Sequence, residues 1–241
     1  MAKIERWVFP HYDKMIVILQ PGNGLPELRS CLFGIDEHGE VAKILYCSQF
    51  GEFFTREKDG WHRQIPSYAQ SRRKGWKKTT SGVRSFYSQM RHFGGKFCHI
   101  LVAFAWCRRP SFVTLPDGYM RPCYMDYECG RMYYKDHLLD AQDNFVQDKD
   151  GNYVYIKVYL QVDHLNGVHD DCNAENLEYV TSQENWRRRS ISSLIVQNGL
   201  NPKKLTYGQL RYAFTINPNV SIESRIHYLC AMVRDGFSPQ L

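Results

Sequence analysis

Three absences limit what this chain can be. No apolar run approaches the roughly 20 residues that a membrane-spanning helix needs, so we expect no membrane partner. No cysteines stand in a C-x-x-C spacing, and the scatter of the 8 cysteines predicts no disulfide framework. No signal peptide opens the sequence, which predicts a reducing, cytoplasmic location, in a bacterial or phage-infected cell.

A zinc site is an alternative use for some of the cysteines. Cys123, Cys129 and His137 offer three ligands of the right chemistry. Their spacing fits no zinc knuckle, however, and a fourth ligand is missing. Ordinary buried or half-buried thiols are therefore the favoured interpretation.

Acidic residues are absent between Asp59 and Asp117. The basic segment, defined here as residues 61–96, lies in this gap and interleaves cations with Trp61 and Trp76. Cations with stacking surfaces are typical of a nucleic-acid contact, although a solvated loop that maintains solubility is the alternative. The cations predicted to contact DNA there are Arg72, Arg73, Lys74, Lys77 and Lys78.

Charge is divided unevenly along the rest of the chain. Residues 117–185 are predominantly acidic, whereas residues 186–241 are again basic and include Arg187, Arg188 and Arg189. The net charge of +6 is compatible with an anionic partner. The partition predicts a phosphate-binding arm, a cation-binding centre and a second basic element, with the three arginines adding DNA contacts beside the centre.

The stretch 153–198 organises the chain. Its β-branched and aromatic opening, Tyr153 to Val162, predicts one extended strand that ends at Asp163 and His164. A loop and a second strand at 177–180 follow. Thr181 to Glu184 has the spacing of a capping box that opens a helix, and Asn198-Gly199 would close that helix. The predicted unit is strand, loop, strand, helix.

The polar residues of this unit resemble those of the HNH endonucleases, most closely the phage-type homing endonucleases. The match reads D-H-L-N-G at 163–167, N-L-E-Y-V-T at 176–181 and then Asn185. A solvated strand end is the alternative interpretation of Asp163-His164 alone, but three spaced positions in the predicted structural context favour the family.

The resemblance implies a role for each of these residues. Asp163 and Asn185 would bind one divalent metal, His164 would be the general base, and Asn176 would hold the hairpin that aims the histidine. Asn185 stands where many members have histidine, and its amide oxygen suits a hard cation, Mg²⁺ or Mn²⁺, better than Zn²⁺. Phosphodiester hydrolysis needs such a set independently of the family, because a base must activate water and a cation must neutralise phosphate charge.

Weaker similarities to the same enzymes lie on either side. Residues 33–41 resemble a hairpin that precedes HNH cores, and 98–106 resemble the family's H-R-L-V-A helix, in which His99 is expected to pack rather than to bind metal. The related enzymes have only a short linker where this chain has residues 111–152, an insertion that is either a packed subdomain or a determinant of target choice. Two helices, near 206–214 and 221–233, are predicted in the C-terminal tail.

We therefore predict an α+β chain with a ββα-metal nuclease core. The predicted divisions are 1–110, β-rich with the basic segment and a packing helix; 111–152, inserted; 153–199, the nuclease core; and 200–241, a helical tail. The predicted function is metal-dependent cleavage of DNA, double-stranded and bound by a monomer, in a homing-type reaction. The alternative is a non-catalytic DNA-binding protein that retains the scaffold.

Overall fold

The structure is a computed structural model that describes residues 3–11, 16–22, 24–68, 91–93, 95–116, 118–215 and 219–239. The five cations predicted to contact DNA in the basic segment, Arg72, Arg73, Lys74, Lys77 and Lys78, lie outside the described residues. Within the described ranges, no helix combines the length and the apolar character needed to cross a lipid bilayer.

An antiparallel sheet forms the N-terminal region. Its order is β1-β3-β4-β5-β6, with β2 also paired to β3. The hairpin predicted around 36–40 is confirmed, since one carboxylate oxygen of Asp36 accepts hydrogen bonds from the backbone N–H groups of His38 and Glu40, both at 2.9 Å. The strands are β1 (Arg6–Val8), β2 (Ile18–Leu19), β3 (Leu28–Ile35), β4 (Val41–Ser48), β5 (Phe53–Glu57) and β6 (Gly60–Gln64).

A small sheet leads into the helix that forms the centre of the core. It contains β7 (Ser67–Tyr68), β8 (Arg91–Phe93) and β9 (Lys96–Phe97), and the next residue begins α1 (Cys98–Trp106). The predicted helix at 98–106 is confirmed. Leu101 and Phe104 are almost fully buried and share one cluster with Leu32 and Phe53 of the N-terminal sheet. The helix therefore fixes this sheet to the elements that follow.

The insertion forms three strands of a four-stranded antiparallel sheet, β10 (Phe112–Thr114), β11 (Met120–Asp126) and β12 (Arg131–His137). The fourth strand is β13 (Tyr155–Tyr159), which the sequence had placed in the nuclease core. A packed sheet agrees with one of the two interpretations of the insertion.

The single strand predicted from Tyr153 to His164 is wrong. It divides at Leu160, and β14 (Gln161–His164) belongs to a different sheet from β13. Leu160 is fully buried, its N–H donates to the carbonyl of Met132 at 2.8 Å, and its carbonyl accepts from Arg131 Nη2 at 3.2 Å. These contacts come from a strand distant in sequence, which local propensity cannot report.

The rest of the ββα unit is as predicted. Strand β14 pairs antiparallel with β15 (Leu177–Val180), and α2 (Ser182–Gln197) follows. Thr181 caps this helix by accepting from the N–H of Glu184 at 3.1 Å, and Gly199 follows it at φ +80°. The carboxylate of Glu184, however, binds arginines of the next turn instead of completing a capping box.

The tail forms the two predicted helices, α3 (Tyr207–Phe214) and α4 (Ile222–Arg234). Leu210 and Leu229 are fully buried in one cluster with Ile191 and Ile195 of α2. The tail therefore covers the face of α2 that would otherwise expose apolar side chains. With four α-helices and separate antiparallel sheets, the described part of the chain is compatible with an α+β fold.

Candidate functional site

A cavity of about 570 Å³ brings three of the four predicted core residues together. Asp163 and His164 line it from the end of β14, and Asn185 lines it from the first turn of α2. Asn176 is not on its wall. The other lining residues come from β9, α1, β12, β14, the 165–169 loop, the later turns of α2 and the end of α3, and they include Phe97, His99, Arg131, Gln161, His169, Arg188 and Arg189.

Local structure explains this convergence. Residues two apart on a strand share a face, so Gln161 and Asp163 both reach the cavity. Residues three and four apart on a helix are also neighbours, which places Arg188 and Arg189 beside Asn185. The side-chain amide of Asn185 donates to Gln161 Oε1 and so connects the helix to the strand.

His164 is buried, with 6% of its surface exposed. Its Nε2 atom has no hydrogen-bond partner among the described residues, while its imidazole makes a hydrogen bond to the backbone of His169. The rings of His99 and His169 lie 5.2 Å and 5.3 Å from it, centroid to centroid. Burial, then these two neighbours, lower the pKa of His164 to about 3. The imidazole is therefore neutral near pH 7, with one nitrogen available to accept a proton.

Asp163 is a largely buried carboxylate with one cationic neighbour. Burial raises its pKa, and the charge of Arg188, whose Nη1 lies 3.4 Å from Asp163 Oδ2, acts in the opposite direction. Arg188 is shared, because it also contacts Glu178 at 2.6 Å and Glu184 at 3.0 Å. The carboxylate of Asp163 therefore has a desolvation cost that its internal partner offsets only in part.

The oxygen donors of the site fit a hard divalent cation. A carboxylate whose charged form is destabilised by burial gains from a bound cation, and Asp163 is such a group. The Nδ2 atom of Asn185 is committed to Gln161, so its amide oxygen is the atom that can bind a metal. Carboxylate and amide oxygens suit Mg²⁺ or Mn²⁺.

A second group of possible ligands lies on the β5–β6 hairpin. Ligand atoms of Glu57, Asp59 and His62 lie within 4.8 Å of one another, which no other three His, Cys, Asp or Glu residues achieve in the described ranges. Lys43 Nζ already contacts Glu57 at 2.9 Å, and His62 is hydrogen-bonded to Asp59 at 2.8 Å. These partners compete with a cation, as Arg188 does at Asp163, and none of the three residues lines the cavity that Asp163, His164 and Asn185 share.

Asn176 is fully buried behind the hairpin and makes three hydrogen bonds. Its Oδ1 accepts from the N–H of Asn166 at 3.0 Å, and its Nδ2 donates to Asn166 Oδ1 at 3.0 Å and to the carbonyl of Asp171 at 2.8 Å. These bonds hold both ends of the loop that follows His164. They are the contacts that a hairpin-holding residue needs, and its role in the reaction stays a prediction.

The three arginines predicted to contact DNA differ in their surroundings. Arg187 binds Glu184 at 2.7 Å and the carbonyl of Phe214, and Arg188 binds the three carboxylates described above. Arg189 is exposed, with its guanidinium 5.3 Å from the ring centroid of exposed Trp186. Among the three, Arg189 is therefore the one best placed to reach a phosphate.

Sequence reasoning did not predict that Gln161, His169, His99 and Arg131 line the cavity. Gln161 and His169 carried a usable signal, since one shares a strand face with Asp163 and the other lies in the loop that follows His164. His99 was expected to pack, and its ring does contact Phe97 at 5.7 Å, but its contact with His164 depends on how α1 docks. Arg131 carried no local signal, because it enters from the insertion.

Comparison with known proteins identifies one segment. Residues 154–187 match a family model described as HNH endonuclease, and this range contains Asp163, His164, Asn176 and Asn185. No curated protein and no solved structure matches the chain. Over this segment, the match supports the resemblance to the HNH endonucleases.

Proposed function

We propose that the chain is a metal-dependent DNA endonuclease of the HNH type that hydrolyses phosphodiester bonds. The observation that carries this proposal is that His164, whose buried Nε2 atom has no hydrogen-bond partner among the described residues, lines a cavity that Asp163 and Asn185 also line. All three residues lie in the segment that matches the HNH endonucleases.

In this reaction His164 accepts a proton from the attacking water at Nε2. Its lowered pKa keeps the imidazole neutral at every pH near neutrality, so the base needs no prior deprotonation. The hydrogen bond to the His169 backbone fixes the ring orientation. An anionic phosphate in the cavity increases the proton affinity of Nε2 as the water is deprotonated, since a nearby negative charge favours imidazolium.

Asp163 and Asn185 would hold one divalent cation. When bound, Mg²⁺ or Mn²⁺ supplies positive charge to the phosphate and to the leaving oxygen. Arg131, Arg188 and Arg189 also line the cavity and make its wall favourable for an anion. The finer proposals are that the partner is double-stranded DNA, that the protein acts as a monomer, and that the enzyme is of the phage homing type.

Incubation of purified protein with supercoiled plasmid tests the proposal. Nicked or linear products should form with Mg²⁺ and should not form with EDTA. His164→Ala should lower the cleavage rate by on the order of 10² to 10⁴, the usual contribution of a positioned base, and added metal should not restore it. Asp163→Ala should also weaken metal binding, so excess Mn²⁺ should restore part of its rate.

A non-catalytic DNA-binding protein is the second candidate. The contact between Arg188 and Asp163 favours it, because an internal cation already neutralises part of the carboxylate charge. This candidate predicts DNA binding without Mg²⁺-dependent cleavage. Cleavage by the His164→Ala protein at the parent rate, with contaminating nuclease excluded, would show that the base is elsewhere.

A further inference from the structure

The four-stranded sheet β10–β13 has one covered face and one open face. Met132 and Tyr134 of β12 point into a buried cluster with Leu160, and their neighbours along the strand therefore point outward. The strand register aligns three outward tyrosines in one row across three strands, since Tyr124 pairs with Tyr133 and Tyr133 pairs with Tyr159. The insertion thus presents an aromatic row on the open side of its sheet.

The rings of this row contact one another. The ring centroids of Tyr124 and Tyr133 are 5.6 Å apart, and those of Tyr133 and Tyr159 are 6.0 Å apart. Tyr124, at the outer end of the row, remains 43% exposed. Tyr159 is anchored through its hydroxyl, which donates to Asp126 Oδ2 at 2.7 Å. The row is therefore held in place at Tyr159 and exposed to solvent at Tyr124.

Cations accompany the tyrosines on this face. Lys157 Nζ lies 4.8 Å from the ring centroid of Tyr133, and Lys135 is the exposed cross-strand partner of Lys157. One of the two acidic residues of these strands pairs with Lys157, and the other faces away from the lysines. Asp126 is buried beneath Lys157 at 3.0 Å, and Asp136 belongs to the opposite face. The open face is therefore basic and aromatic.

Arg131 joins this face to the candidate catalytic cavity. Its guanidinium lies 5.1 Å from the ring centroid of Tyr159, and the same side chain lines the cavity with Asp163 and His164. The chain itself is also continuous, because Tyr159 ends β13 and Gln161 begins β14. The acidic turns of the β12–β13 connection lie at the other end of the sheet, beyond the pair His137 and Tyr155. A polyanion that leaves the cavity therefore meets the tyrosine row before the acidic turns of this connection.

We propose that the open face of β10–β13 binds an unpaired DNA strand that leads away from the scissile phosphate, with Tyr124 and Tyr133 stacking on bases and Lys135 contacting a phosphate. Exposed tyrosine rings stack only on bases whose faces are uncovered, which favours an unpaired strand over a duplex. This inference rests on the proposed function for the position of the scissile phosphate. It gives the insertion a role in binding the DNA beside the cut.

Binding measurements with two DNA ligands test the inference. A blunt duplex and the same duplex with an oligothymidine tail are titrated with the full chain in EDTA, so that no cleavage occurs. The ratio of the two dissociation constants gives the gain in affinity due to the tail. We expect a gain for the parent protein, a reduction on the order of tenfold for Tyr124→Ala, and retention of the gain for Tyr124→Phe, which keeps the ring.

The lysines have a separate readout. For the tailed DNA, Lys135→Gln should lower the salt slope of log K by about 0.7, one phosphate contact to a single strand, whereas Lys157→Gln should change it little because Lys157 is already paired with Asp126. Tyr228→Ala and Lys149→Gln are matched controls, an exposed tyrosine of α4 and an exposed lysine of an acidic turn, and they should leave the gain and the slope at parent values.

The possible failures are distinguishable. A parent protein that cleaves plasmid with Mg²⁺ but gains nothing from the tail overturns the inference and leaves the proposed function standing. A tail gain without cleavage overturns the proposed function and keeps the face as a DNA-binding surface. The inference would also be overturned if Tyr124→Ala lost affinity for the blunt and the tailed DNA equally. The same holds if this variant changed its oligomeric state but kept the gain in affinity from the tail.

Discussion

His99 and His164 face each other in the core although each is a potential cation. Burial lowers the pKa of His99 to about 4, and burial lowers that of His164 to about 3. Histidine in an unfolded chain titrates near pH 6.5. Below about pH 6.5 the unfolded state therefore binds protons that the folded state cannot bind until the pH is much lower, so stability is lost as the pH falls.

We expect the free energy of unfolding to decrease as the pH is lowered from about 6.5 toward 4. His99→Gln removes one group whose pKa is lowered in the folded state, so the dependence of its unfolding free energy on pH over this range should be shallower by about 1.4 kcal/mol per pH unit. Urea unfolding at a series of pH values measures both slopes. Comparing the variant with the parent cancels the contributions of groups whose pKa does not depend on His99. Equal slopes would mean that His99 is not buried as a neutral side chain.

Asn176 illustrates how a polar residue can be structural within the segment that matches the HNH endonucleases. Its three buried hydrogen bonds hold the loop after His164. Asn176→Ala leaves buried backbone and side-chain groups without partners, which should lower the free energy of unfolding by about 3 kcal/mol. Cleavage should fall between that of the parent and that of His164→Ala, because the base is misdirected but not removed.

Asn173→Ala is the matched control for that prediction. Asn173 is half-buried and caps the 3₁₀ turn Ala174–Asn176 by accepting from the N–H of Glu175 at 3.0 Å. Loss of this cap should cost about 1 kcal/mol and should leave the loop bonds of Asn176 in place. If both variants lose stability and activity equally, Asn176 has no special role in holding the hairpin.

At the scale of elements, one arginine connects α2 to both strands of the β14–β15 hairpin. Arg188 is 12% exposed and contacts Asp163, Glu178 and Glu184. Replacing one member of a buried charge network leaves the others without compensation. Without Arg188, Glu184 would still be paired with Arg187, and Glu178 with Arg211. What would be lost is mainly the link that fixes the position of α2 relative to the hairpin.

Arg188→Ala should therefore destabilise the protein by about 3 kcal/mol, measured by urea unfolding. The control is Arg234→Ala, which removes an exposed pair with Asp235 and should produce no measurable change. A second measurement is the Mg²⁺ concentration that gives half-maximal cleavage, determined on the protein that remains folded. Because Arg188 competes with a cation for Asp163, half-maximal cleavage should need less Mg²⁺ in the variant. An unchanged or higher requirement would contradict this competition.

The sequence predicts the local elements well and their pairing poorly. The cap at Thr181, the stop at Gly199, the hairpin at 36–40 and helix α1 depend on neighbouring residues, and the structure confirms each one. The break at Leu160 depends on Met132 and Arg131, which lie almost thirty residues earlier in the chain. A β-branched run has the same appearance whether it serves one sheet or two, so register and partner strands had to come from the structure.

At the scale of the whole molecule, the matched segment does not fold around its own residues alone. Leu177 of β15 and Cys172 of the loop are buried in the same cluster as Leu101 of α1 and Phe53 of the N-terminal sheet. The N–H of Ala174 donates to the carbonyl of Gln49 at 2.7 Å, which adds a backbone bond between the two regions. The position of His164 therefore depends on elements from both halves of the chain.

The charge partition gives a prediction for DNA binding by the whole chain. Each phosphate contact releases counterions, so the slope of log K against log salt counts the contacts, at about 0.9 per phosphate of a duplex. A variant with Arg72, Arg73, Lys74, Lys77 and Lys78 all replaced by Gln should bind every sequence more weakly, with a slope shallower by up to about 4.5. Binding to duplex DNA at a series of salt concentrations measures it.

Arg187 provides the comparison within the same experiment. Its guanidinium is held by Glu184 and by the carbonyl of Phe214, so Arg187→Gln should change the slope little, whereas exposed Arg189→Gln should make it shallower by about 0.9. Phosphate contacts carry little sequence information, so neither the quintuple variant nor Arg189→Gln should alter the preferred site. A parent-like slope in the quintuple variant would reassign the basic segment to solubility, and the DNA would then have to be held by Arg189 and the cations near the cavity.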